Sequence, residues 1–261
     1  MVNFQIAENY SIEDLRKVME LLRSPGGCPW DQAQSHQSIR NNMLEEAYEA
    51  ADAIDRKDME NLKEELGDVL LQVIFHARMA EEAGVFTFDD VVDGICKKLI
   101  FRHPHVFGTT EAPDQERALS AWEAQKRAEK GQRTAADGLD SVARALPALT
   151  RAAKLQSKAA KAGFDWKDVA PALDKLSEEL EELKTAVQEN SNVEEELGDV
   201  LFAAVKAGRF VGADGETALQ KACEKFIRRF RRVEALAGGA MEGLDVPALE
   251  ALWNRAKQEE A

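Results

Sequence analysis

Apolar residues recur along this chain at three- and four-residue intervals. Met43, Leu44, Ala47, Tyr48, Ala51 and Ile54 form one such run, and Leu66, Val69, Leu70, Val73 and Phe75 form another. That period puts each set on one face of an α-helix. Helix punctuation separates the runs. Ser11-Ile12-Glu13-Asp14 has the form of an N-terminal cap, and Pro25-Gly26-Gly27 stops the helix that it opens. A loop carrying Cys28-Pro29-Trp30-Asp31 follows. Asp58 opens the helix through Leu66 and Phe75, which runs to about Ala83 and ends at Gly84. Thr87-Phe88-Asp89-Asp90 starts the next one, and His103-Pro104 closes it. No alternating run bounded by turn signals makes a strand, so the expected fold class is all-α.

Composition agrees with that pattern and narrows the partners. The chain has 261 residues, 44% of them hydrophobic and 31% charged, as in a packed globular protein. Its formal net charge of −14 argues against duplex nucleic acid and against an anionic membrane surface, since both would repel it. No stretch reaches the roughly 18 apolar residues of a membrane span. The N-terminal residues lack the basic and apolar regions of a signal peptide. Cys28, Cys96 and Cys223 are far apart and odd in number, without CxxC spacing. They are expected as buried thiols in a reducing compartment, which makes the protein cytoplasmic.

The chain also repeats itself. Glu-Glu-Leu-Gly-Asp-Val-Leu stands at Glu64–Leu70 and again at Glu195–Leu201. Glu46-x-x-Glu49 recurs as Glu179-x-x-Glu182. Cys96-x-Lys98-x-Ile100-x-Arg102 recurs as Cys223-x-Lys225-x-Ile227-x-Arg229, and Trp122 with Lys126 recurs as Trp253 with Lys257. Landmarks repeated in one order indicate a duplicated helical unit. The expected halves are residues 1–130 and 140–261, joined by a linker at 131–139.

Each half therefore carries Glu-x-x-Glu on one helix and Glu-x-x-Asp on the next. Residues three apart share a helix face, so each motif aims two carboxylates the same way. If the two helices pack antiparallel, Glu46, Glu49, Glu65 and Asp68 converge in the first half, and Glu179, Glu182, Glu196 and Asp199 in the second. Four carboxylates so close repel one another unless a hard divalent cation binds them, with Mg²⁺ the expected ion. Glutamate is abundant here, and Glu-x-x-Glu by itself is more often a solvated helix face. Glu-x-x-Asp says more, because it borders the apolar stripe and encloses a mid-helix glycine, Gly67 or Gly198. That glycine costs about 1 kcal/mol relative to alanine. Its repetition is expected to mark the close approach of another helix or a ligand.

Cations recur in register with the carboxylates. Lys98 and Arg102, and likewise Lys225 and Arg229, lie four apart on one helix face, and Arg228 and Arg231 thicken the second patch. Phosphate contact and simple pairing with neighbouring glutamates are about equally compatible with that spacing. Trp253 and Lys257 lie one turn apart, as for stacking on a base and reaching a phosphate. A di-iron carboxylate bundle would need Glu-x-x-His. Here Ala33, Val73, Ile100 and Arg102 precede the four histidines by three, so that alternative fails. A helical interaction module with solvated acidic faces is the remaining rival.

The two acidic cassettes, together with Gly27-Cys28-Pro29-Trp30-Asp31 and Arg102-His103-Pro104-His105-Val106-Phe107, resemble the MazG family of nucleoside triphosphate pyrophosphohydrolases over nearly the whole chain. The resemblance implies two tandem four-helix-type domains, Mg²⁺ dependence and a homodimer. It also implies hydrolysis of ribo- and deoxyribonucleoside triphosphates to monophosphate and pyrophosphate, as nucleotide-pool house-cleaning. By that resemblance the eight carboxylates hold metal, and Lys175, Lys225, Arg229, Trp253 and Lys257 line the nucleotide pocket. Water attacks the α-phosphorus, with Glu179 and Glu196 at the reacting centre and Glu178 as a candidate base. The second half is the expected site, because its basic patch is denser and Lys175 precedes its acidic motif. Its Gly163-Phe164-Asp165-Trp166 is only a loose counterpart of the Cys28–Asp31 segment.

Overall fold

A computed structural model describes residues 4–109 and 114–259, and all regular structure among them is helical. The chain divides into two compact units, Met1–Lys126 and Arg127–Ala261. The first contains α1 (Ile12–Arg23), α2 (Pro29–Ala33), α3 (Arg40–Arg56), α4 (Met59–Glu82), α5 (Phe88–Arg102) and α6 (Pro104–Phe107), and α7 (Gln115–Glu129) crosses the boundary. The second contains α8 (Ala135–Asp140), α9 (Ala148–Lys161), α10 (Ala170–Glu189), α11 (Val193–Phe210), α12 (Gly215–Leu236) and α13 (Val246–Glu259).

The expected boundaries follow from local chemistry. Ser11 and Asp14 close a capping box, with Ser11 N–H donating to Asp14 Oδ2 at 2.7 Å, and Thr87 with Asp90 repeats it at α5. Asp58 caps α4 through the Asn61 N–H. The α3–α4 turn passes through Lys57 in the left-handed region (φ 58°), and the α10–α11 turn through Asn190 (φ 51°). A short left-handed turn folds two long helices into a hairpin. The two hairpins are thus built alike. Around them, α1 and α5 pack on α4, while α9 and α12 pack on α11. Met19, Ile39, Ile74, Phe75 and Met79 form the core of the first unit, with Leu15, Leu22, Leu71 and Phe88 against it.

The fold departs from the sequence expectations in four places. The Cys28–Asp31 segment is not a loop, because Pro29 opens the short helix α2 and Arg23 fixes it through the Asp31 carbonyl. Residues 135–139 of the expected 131–139 linker belong to a helix, Ala135–Asp140, capped by a Thr134–Asp137 box. The cysteines are free, but only Cys28 is half-buried, and Cys96 and Cys223 are exposed. Finally, a Cβ built on Gly67 or Gly198 would meet nothing within 4 Å. No helix of the same unit approaches these glycines closely, and neighbouring Leu66, Leu197 and Leu201 are exposed.

Candidate active site

The α10–α11 hairpin assembles the second carboxylate cluster. Glu179, Glu182, Glu178 and Lys175 stand on α10, and Glu196 and Asp199 on α11. Glu194, Glu195 and Glu196 occupy the first turn of α11, where the helix dipole favours negative charge. Glu196 also accepts a hydrogen bond from Asn192 Nδ2 at 2.6 Å. Glu179, Glu196 and Asp199 each bring a carboxylate oxygen within 4.8 Å of the others. Glu179 is buried. Glu182 stands outside that trio but is hydrogen-bonded to Glu179; this bond, then burial and the charges of Glu179 and Glu196, hold its carboxyl above the usual carboxylate range.

Lys175 is the cation of this cluster. Its ammonium lies 2.7 Å from Glu179 and 2.9 Å from Glu178, and these bonds push its pKa well above the ordinary lysine value. Glu178, the expected base, is therefore an exposed, lysine-paired carboxylate at the edge of the cluster.

The first unit makes the corresponding cluster on the α3–α4 hairpin. Oxygens of Glu46, Glu49 and Glu65 lie within 4.8 Å of one another, whereas the expected fourth carboxylate, Asp68, stands outside that trio. Burial, then the charges of Asp68 and Glu49, raise the Glu46 carboxyl, and burial with Glu49 raises that of Glu65. Both donor sets consist of carboxylate oxygens alone. Hard divalent cations such as Mg²⁺ fit such a set, and softer metals have no nitrogen or sulfur ligand in it.

A cavity of about 580 Å³ adjoins the second cluster. Lys175, Glu179 and Asp199 stand at its polar edge, and its walls include Leu139, Leu155, Ala159, Phe164, Trp166 and Phe202. Size, apolar walls and a few convergent charges are the features of a small-molecule site. Gln156, 3% exposed, lies on the same wall and donates from Nε2 to the Phe202 carbonyl at 2.8 Å. Its Oε1 accepts no hydrogen bond. Ala203 lines the cavity one turn beyond Asp199, where the repeat in the first unit carries the buried Gln72, hydrogen-bonded to Glu46.

The structure does not bring every expected residue to this cavity. Lys225 and Arg229 stand on α12, and Trp253 and Lys257 on α13, and none of the four lines it. Arg229 lies 6.0 Å from the Trp253 ring, which also packs on Phe226 at 5.4 Å. The repeated pair Arg102 and Trp122 makes the same contact at 5.4 Å. Conversely, Gln156, Phe164, Trp166 and Lys206 line the cavity and were not expected as site residues. The loose echo at Gly163–Trp166 was a signal for Phe164 and Trp166, while Gln156 and Lys206 had none in the sequence.

Two stretches, residues 34–107 and 167–233, match the model of the MazG nucleotide pyrophosphohydrolase domain. The chain is 44% identical over 248 residues to the nucleoside triphosphate pyrophosphohydrolase/pyrophosphatase MazG of Thermotoga maritima, covering 94% of this chain and 95% of the relative. It is 45% identical over 257 residues to the nucleoside triphosphate pyrophosphohydrolase of Escherichia coli K12, covering 95% and 98%. An uncharacterised Bacillus subtilis protein, YabN, is 45% identical over 256 residues, which span 96% of this chain and 52% of that protein. Each domain match contains one complete hairpin with its carboxylates, and the Thermotoga and Escherichia relatives align over nearly their whole length. The chain therefore belongs to the MazG nucleotide pyrophosphohydrolase family.

Proposed function

We propose that this protein hydrolyses ribo- and deoxyribonucleoside triphosphates to the monophosphate and pyrophosphate, using the carboxylate cluster of its second unit. The observation that carries the reading is the junction of that cluster with the 580 Å³ apolar cavity, which suits one ligand with an anionic end and a nearly flat, apolar end. The names of the Thermotoga and Escherichia relatives support the same reaction. The choice of unit rests on this cavity, whose wall has Ala203 at the position where the first unit carries the larger, buried Gln72.

Glu179, Glu182, Glu196 and Asp199 would hold Mg²⁺, which when bound offsets triphosphate charge and lowers the pKa of a coordinated water. Glu178 takes the proton of the water that attacks the α-phosphorus, and its contact with Lys175 orients it for this. Lys175 supplies positive charge beside the reacting phosphate. Lys225, Arg229, Trp253 and Lys257 are assigned, through the family resemblance, to the leaving pyrophosphate and the outer nucleotide contacts. The Arg229–Trp253 contact makes those two a single unit. A second copy completes the assembly. Leu173, Leu180 and Val187 on α10 and Leu197 and Leu201 on α11 form exposed apolar stripes that a homodimer would cover. Nucleotide-pool house-cleaning in the cytoplasm is the physiological role.

The experiment is a nucleoside triphosphate panel with Mg²⁺, read separately for pyrophosphate and orthophosphate. Pyrophosphate is the expected primary product. Asp199→Asn and Glu196→Gln are each expected to lower turnover on the order of a hundredfold or more, since each removes an anionic metal ligand. Orthophosphate as the first product, or full turnover in both variants, contradicts the proposal.

A further inference from the structure

The wall of the cavity away from the carboxylates carries an ion pair of its own. Asp199, Phe202, Ala203 and Lys206 follow one face of α11 along the cavity. Seven residues of helix separate the first from the last, about 10 Å at 1.5 Å per residue. That span is comparable with the distance from the 5′-phosphate of a nucleotide to the hydrogen-bonding edge of its base.

At the far end, Lys206 Nζ lies 2.7 Å from Asp165 Oδ1, and Arg209 binds Asp165 Oδ2. The side chains of Asp165 and Lys206 are 18% and 12% exposed, and both residues line the cavity. The Lys206 ammonium also sits 5.4 Å from the Trp166 ring and 5.8 Å from that of Phe210. Hydrogen bonds and charges from Lys206 and Arg209 outweigh burial and keep the Asp165 carboxyl below its ordinary range. It is therefore an ionised acceptor whose Oδ1 already takes the Lys206 ammonium and the Trp166 N–H at 2.9 Å, which leaves a lone pair on Oδ2 beside Arg209, and the ammonium has three donors of which this pair uses one. Within one small region the wall presents an acceptor, a donor and the aromatic faces of Phe164 and Trp166. The unpaired Oε1 of Gln156 lies at the same level of α11, where its amide is anchored to Phe202.

We infer that Asp165 and Lys206 read the Watson–Crick edge of the nucleobase, with Asp165 accepting from a base N–H and Lys206 donating to the adjacent ring nitrogen or carbonyl. This rests on the proposed assignment of the cavity to a nucleoside triphosphate. Adenine, guanine, cytosine and uracil all offer an N–H donor beside an acceptor on that edge, so one carboxylate–ammonium pair serves every base. It rejects bases whose donor has been removed, because a half-buried carboxylate facing a methyl group loses its partner. Asp165 and Lys206 are thus specificity-determining residues.

The test compares ATP with N6,N6-dimethyl-ATP, and UTP with 3-methyl-UTP, by steady-state pyrophosphate release from the full chain. For the unsubstituted protein, kcat/KM is expected to fall about tenfold or more with each methylated substrate, carried mainly by KM. In Lys206→Met and Asp165→Asn the ratio within each pair is expected to approach one, with melting temperatures recorded to establish that the variants fold. Equal turnover of methylated and unmethylated substrates by the unsubstituted protein overturns the inference without any variant. An unchanged ratio in folded variants overturns it as well. Failure of the underlying assignment looks different: Asp199→Asn would then hydrolyse ATP and UTP at full rate, and both readings would fall together.

Discussion

Arg23 and Glu82 tie α1 to the end of α4. Glu82 accepts from Arg23 Nε at 3.1 Å and Nη2 at 2.8 Å, and from Arg78 Nε at 3.0 Å, while the Arg23 side chain is only 8% exposed. The Arg23 hydrogen bonds, ahead of the opposing effect of burial, hold the Glu82 carboxyl below its usual range. A depressed folded-state pKa gives stability that is fully present above the unfolded value, about 4.3 for glutamate. It is lost as pH falls through the lower folded value. Glu82→Gln is accordingly expected to cost about 1–2 kcal/mol at pH 7, with the difference from the unsubstituted protein shrinking toward pH 3. Urea denaturation at several pH values checks this, and a deficit that is constant with pH contradicts it. The residue-level chemistry of the candidate site was legible in the same local way, since Glu-x-x-Glu and Glu-x-x-Asp fix which carboxylates share a helix face. Gln156 was not legible, because its meaning comes from the carbonyl of Phe202, which another helix brings to it.

At the scale of helices, the two hairpins test what their mid-helix glycines are for. Gly67 and Gly198 have open space where a Cβ would stand, and neither adopts a positive φ. In an isolated chain, Gly67→Ala and Gly198→Ala should each raise stability by about 1 kcal/mol, through helix propensity alone. Thermal melts at low protein concentration without nucleotide give that measurement. If either alanine then lowers activity or self-association, the glycine is kept for a ligand or a second copy. A second element-level prediction concerns the cavity. Ala203 is buried on its wall, so Ala203→Gln is expected to raise KM for nucleotide about tenfold or more by filling space that the ligand needs, while leaving kcat less affected. Equal KM values would remove Ala203 as the reason for favouring the second unit. Helix limits such as Ser11, Asp58 and Thr87 were readable because capping is decided within four residues. The helical state of Pro29–Ala33 was harder to read, since so short a helix is held by Arg23 rather than by its own propensity.

For the whole molecule, the net charge of −14 and the two acidic clusters bear on each other. Divalent cation is expected to raise the melting temperature, because it binds carboxylates that repel one another only when folding brings them together. Glu65→Gln and Glu196→Gln should each diminish that shift, and the double variant should nearly abolish it. A shift that survives in the double variant places the metal elsewhere. The apolar stripes of α10 and α11 predict a dimer by light scattering, and Leu197→Glu is expected to shift it toward monomer. A monomer at every concentration contradicts the proposed assembly.

The sequence by itself determined the all-α class, the duplication and which carboxylates share a helix face, because helical period, caps and motif spacing act over a few residues. Only the tertiary structure decided that Arg229 rests on Trp253 and that Gly163–Trp166 walls a cavity leading from Asp199 to Lys206. Both depend on which helices pack together. Packing sets distances between residues far apart in the chain, and no local pattern encodes those distances.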